Sequence, residues 1–120
     1  MRIETVKEPI FKQRFLLYSD CEFADFYKEV TGDKFDDDSS VFCGHCINTP
    51  NAEICIWVKD RNDMPTLVHE LLHATQFALF SRCWVNNKES ETPAYYLEFL
   101  LKSFTESNKQ NEHPHNNRIA

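Results

Sequence analysis

The chain has 120 residues, 42% of them hydrophobic, including ten Phe, and carries a net charge of −6. That length suits one domain with one modest core, and an acidic chain without a basic block gives no reason to expect nucleic-acid binding. No apolar run reaches membrane-spanning length, and the N-terminal MRIETVKEPIF lacks the apolar core of a signal peptide. Five Cys at irregular spacing do not form a secreted disulfide framework, and two Gly are too few for a phosphate-cradling loop. The expectation is a soluble, reduced, cytoplasmic protein that neither enters a membrane nor binds nucleic acid.

Residues 1–6 suit a short strand or an extended arm. Residues 10–18, IFKQRFLLY, are rich in aromatic and branched side chains and read as a strand. Asp20 reads as an N-cap, followed by a helix with Phe23, Phe26, Tyr27 and Val30 on one face and Gly32 as its stop. The acidic stretch 33–40 is a solvated loop; Asp36, Asp37 and Asp38 lack the spacing of a calcium-binding loop. Residues 40–47 and 52–59 read as two strands joined by a turn at Thr49, Pro50 and Asn51. In the second, Ile54, Ile56 and Val58 share one face, with Glu53, Cys55 and Trp57 on the other.

Asp63 is a plausible N-cap for the next helix, MPTLVHELLHATQFALF, with Pro65 tolerated in its first turn. Met64, Leu67, Leu71, Ala74 and Ala78 cluster on one side of it. On the other side stand His69, Glu70 and His73, an HExxH pattern. Residues four apart lie about 40° apart on a helix, so both imidazoles can face one metal ion. Glu70 is about 100° round from His69, where it flanks the ion without ligating and can reach a metal-bound water. Gln76 and Phe77 extend the His-bearing side, so it is semi-apolar, and burying two unpaired His and a Glu there would be costly without a partner.

A catalytic zinc site takes three protein ligands and keeps one position open. The longer pattern HExxHxxGxxH is excluded, because position 79 is Leu79 and position 76 is Gln76. After a polar loop, residues 91–105 form a second long helix with Leu97, Leu100, Leu101 and Phe104 as its apolar stripe. Glu91 at its start, or Glu89 or Glu98, can supply a carboxylate ligand, with Glu91 favoured by the room for an antiparallel return. Tyr95, one turn beyond Glu91, can donate a hydrogen bond to a developing oxyanion or can simply pack. The rest, 107–120, is a polar tail expected to be disordered, in which His113 and His115 form a fortuitous pair.

His69-Glu70-Leu71-Leu72-His73 followed by Glu91-Thr92-Pro93-Ala94-Tyr95 resembles the gluzincin arrangement, HExxH on one helix and a Glu ligand on the next. The compact length resembles minigluzincin-type domains and small phage or prophage HExxH proteins with an ExxAY-like second helix. The likeness spans residues 65–104; where larger gluzincins carry NExxSD, this chain reads SETPAYY around Glu91. It implies a minimal zincin-like domain over residues 1–106, with Zn²⁺ held by His69, His73 and Glu91. It also implies a metallopeptidase that cleaves peptide or protein substrates, with Glu70 and Tyr95 catalytic. The strand within 52–59 would border the cleft, and a peptide could add to its edge.

Cys43-Gly44-His45-Cys46 is a CxxC without a second pair, so structural zinc is not indicated and small buried strand cysteines are expected. The architecture expected is α+β, ordered β-α-β-β-α-α, with a short sheet packed on the HExxH helix and a second C-terminal helix. A function of a different class fits the same residues: a zinc-stabilised binding or assembly protein that cleaves nothing.

Overall fold

Two apolar strand runs and three amphipathic helices have to bury their faces against one another, and a short mixed sheet solves that. The computed structural model describes the backbone of residues 1–80 and 91–112 and the side chains of residues 1–80 and 92–106. Its elements are β1 (Arg2–Lys7), β2 (Arg14–Ser19), α1 (Phe23–Thr31), β3 (Gly44–Asn48), β4 (Glu53–Val58), α2 (Met64–Phe80) and α3 (Glu91–Glu112). The class is α+β. The sheet runs β1-β2-β4-β3, with β2 and β4 parallel and the two outer pairs antiparallel.

Side-chain alternation divides the core between the two faces of this sheet. Phe15, Leu17, Ile54, Ile56 and Val58 point to one face and are covered by α2 and α3. Tyr18, Cys55 and Trp57 point to the other and are covered by Phe23 and Phe26 of α1. The indole N–H of Trp57 donates to the Cys21 carbonyl at 3.0 Å, so its one polar atom is paired inside that layer. The alternation expected for β4 is the one observed, and because helices cover both faces the whole run Ile54 to Val58 is buried.

That double burial corrects one expectation. β4 pairs with β2 on one side and β3 on the other, so it has no free edge. A nearly continuous apolar run is what an interior strand requires. The strand with an open edge beside α2 is β3, whose sequence GHCIN is more polar and only partly buried.

The remaining differences are local. β1 is a strand, antiparallel to β2. The Glu8 carboxylate accepts from the backbone N–H groups of Ile10 and Phe11, and Lys12 is left-handed at φ 62°, so residues 10–13 turn and β2 begins later than expected. Asp20 is left-handed at φ 56° and does not cap; Glu22 precedes α1 without a side-chain cap. Gly32 ends α1 at φ 81°, as expected, its N–H donating to the Lys28 carbonyl. Helix α3 runs to Glu112, past the expected end at residue 105, and residues 81–90 and 113–120 lie outside the described part. Among the described residues no helix is long and apolar enough to cross a membrane.

One ion pair crosses the fold. Arg61, between β4 and α2, donates to Glu4 of β1 at 2.8 and 3.3 Å and to the Phe104 carbonyl of α3 at 2.9 Å. Both side chains are almost wholly buried. Such a pair contributes modestly while intact, but losing Arg61 leaves the buried Glu4 carboxylate with the longer and weaker contact to Arg2 at 3.7 Å. Arg61→Ala is therefore expected to destabilise the domain by about 3–5 kcal/mol. Urea unfolding of the two proteins measures this, and a change under about 1 kcal/mol would show the pair to be dispensable.

Candidate metal centre

Helix α2 presents the HExxH residues from a well-defined start. Asp63 caps it: its carboxylate accepts from the Thr66 N–H at 3.3 Å and the Thr66 hydroxyl at 2.6 Å. Leu67, Leu71, Ala74 and Ala78 then seat the helix on the sheet, while Met64, grouped with them in the sequence, is 43% exposed. With that stripe fixed inward, His69 and His73 emerge on the opposite side, next to the edge of β3.

The two imidazoles meet. His69 Nε2 and His73 Nε2 are 3.3 Å apart, with ring planes at 81°. Two nitrogens bound to one tetrahedral zinc at about 2.0–2.1 Å would be about 3.3 Å apart, so the spacing fits a shared ion. His73 Nδ1 is 3.3 Å from Gln76 Oε1. An amide oxygen only accepts, so this contact selects the tautomer protonated at Nδ1 and leaves the Nε2 lone pair facing His69. A proton on His69 Nε2 or a cation between the rings would satisfy both nitrogens at this spacing.

Both His side chains are exposed, which corrects the expectation of a costly buried pair; the burial falls on Glu70 alone. Glu70 is 6% exposed. Burial pushes its carboxyl above the ordinary value, and His69, His73 and His45 pull it part of the way back. What covers it is the backbone of β3. A Cβ on Gly44 would stand 2.8 Å from Glu70 Cγ and Oε2 and 2.9 Å from Thr66 Cγ2. Only glycine lets the sheet edge close this far onto the carboxylate.

Two adjoining cavities meet at this point. One, of about 350 Å³, is lined by Gly44, His45, Cys46, His69, Glu70, His73 and Phe77. The other, of about 390 Å³, is lined by Cys43, Gly44, Pro65, Thr66, His69 and Glu70. His69 and Glu70 line both, so the motif sits in the middle of a cleft and not at its end.

Compared with protein-family models, curated proteins and solved structures, this chain matches none. The chemistry of the site has to be argued from its own residues.

The structure brings together His69, His73 and Glu70. Tyr95 stands on α3 with 65% of its surface exposed, and Glu98 is exposed on the same helix. Glu91 opens α3, but its side chain lies outside the described residues, as do Glu89, Cys83, His113 and His115 entirely. Among the described residues no three His, Cys, Asp or Glu side chains are grouped to hold a metal. The cysteines differ from one another: Cys55 is buried, Cys46 is partly buried, and Cys43 is exposed, contrary to expectation. Burial, with the Glu70 carboxylate nearby, raises the Cys46 thiol and keeps it protonated, which does not suit a redox CxxC.

Two contributors were not singled out from the sequence. Spacing puts Gln76 on the His-bearing side, but nothing in the sequence marks its amide as a partner of the His73 ring. Gly44 was read as part of a cysteine motif, although a lone Gly within a strand marks a close backbone approach. Removing the Gln76 amide should free the His73 ring to rotate. If the His pair holds zinc, Gln76→Ala is expected to weaken its binding by about 10–100-fold, measured by competition with a chromophoric chelator, with the circular dichroism unchanged. Equal affinities would show that Gln76 does not orient the ligand.

Proposed function

We propose that this chain is a zinc-dependent hydrolase, a metallopeptidase acting on peptide or protein substrates through a gluzincin-like site. The observation that carries this reading is the 3.3 Å separation of two imidazole nitrogens beside a carboxylate that is 6% exposed. His69 and His73 would hold the ion, and Glu91, at the head of the next helix, is the third ligand in this reading. Zinc bound there would supply Lewis acidity to a scissile carbonyl and to water.

The remaining work falls to the chain itself. Glu70, shielded by Gly44, acts as the general base toward the attacking water and returns the proton to the leaving amine. Its burial strips away competing water, which strengthens the electrostatic coupling to both His. Tyr95 is assigned to the developing oxyanion. The peptide backbone adds to the open edge of β3, which runs past the cleft, and takes the place that the sequence reading gave to β4. A mixed sheet with its open antiparallel edge beside the HExxH helix supports a minimal zincin-like scaffold.

The rival reading, a zinc-stabilised binding protein, shares the metal but not the chemistry. Glu70→Gln keeps the shape and removes the base, so turnover should fall by about 10²–10⁴-fold while zinc content stays at that of the wild type. Full activity in this variant would refute the role given to Glu70, and inactive zinc-loaded wild type would favour the rival. Elemental analysis of Glu91→Ala tests the ligand set: zinc should be lost on dialysis, and undiminished zinc would move the third ligand to Glu89 or Glu98.

A further inference from the structure

The cleft continues beyond the motif. Past His73, a third cavity of about 350 Å³ is lined by Asn48, Gln76, Phe77 and Phe80. It shares Phe77 with the cavity that holds both His, and it lies at the end of β3, where Asn48 is the last strand residue. Its character differs from the cavity at the other end, where Cys43, Gly44, Pro65 and Thr66 bring no aromatic ring. Here Phe80 is 90% exposed and Phe77 is 37% exposed. Two aromatic rings turned toward solvent at the end of a polar cleft are a large apolar area left uncovered.

Spacing relates this cavity to the reacting centre. The middle of the pair His69 and His73 and the middle of the stretch from Gln76 to Phe80 are about seven residues apart on α2, or about 10 Å at 1.5 Å per residue. An extended peptide covers that distance in about three residues. On β3, Gly44, Cys46 and Asn48 alternate onto the α2 side. A strand added beside them must alternate in the same way, so every second side chain drops onto α2.

We infer that the cavity between Asn48, Gln76, Phe77 and Phe80 is a specificity subsite for one large apolar side chain of an extended polypeptide. That side chain, Leu, Met or aromatic, sits two or three residues from the bond that is cut. The inference rests on the peptidase reading and adds its substrate class: unfolded segments with a bulky apolar residue on one side of the scissile bond. Selection is one-sided because Phe77 and Phe80 line this end, whereas Cys43, Gly44, Pro65 and Thr66 line the other.

The test is a digest of a reduced, carboxymethylated protein by the zinc-loaded full chain, with the cut sites read by mass spectrometry. Large apolar residues should be enriched at one fixed position, two or three residues from the cut, on one side only. Two peptides that differ as Leu or Ala at that position then measure the subsite. Phe80→Ala should lower kcat/KM for the Leu peptide by about tenfold and leave the Ala peptide about unchanged. Because Phe80 is exposed, this substitution does not disturb the core. Cuts without enrichment, or an equal fall on both peptides, would overturn the subsite and leave the peptidase reading standing. No cuts by zinc-loaded wild type would overturn both.

Discussion

The contact between Gly44 and Glu70 sets the geometry of everything near the motif. A strand edge can approach a helix this closely only where a side chain is missing, and the missing side chain here is opposite the one acidic residue of α2. The approach dries the carboxylate, raises its proton affinity, and brings the open edge of β3 alongside the helix face that carries both His. Strand edge, Glu70 and the His pair are therefore one unit. A displacement of β3 by the width of a methyl group would change all three.

The rest of the fold holds that unit steady. α2 is gripped from below by Ile54, Ile56 and Val58, and those residues are fixed in turn because β4 is paired on both sides. α1 covers Trp57 and Cys55 on the opposite face of the same strand, and its Phe23 ring packs against His45 at the cavity wall. Close packing transmits such constraints over short distances, because interiors have few voids to absorb a shift. The two His are exposed and their foundation is not.

Much of this was legible in the residues. The limits of α2, its Asp63 cap and its buried stripe follow from period and capping chemistry, and the alternation in β4 follows from period two. Turns and edges were less legible. Nothing local marks Lys12 or Asp20 as left-handed, and the order of strands depends on long-range pairing that no short window contains. The polarity of GHCIN beside the apolar EICIWV is the one clue that β3, and not β4, would be the edge. In the site, the His pair could be read from spacing. Spacing alone puts Gln76 beside His73, but which residue Gly44 approaches depends on strand order, and a linear pattern does not carry that.

The bond from Arg61 to Glu4 and to the Phe104 carbonyl joins β1 to α3. On the ribosome, Glu4 emerges long before its guanidinium partner and longer still before residue 104. β1 can pair with β2 in the meantime, but the Glu4 carboxylate has to wait for residue 61 before the guanidinium replaces its water. Burial of Glu4 and docking of α3 thus share one guanidinium. A change that hinders β1 would leave its mark on α3.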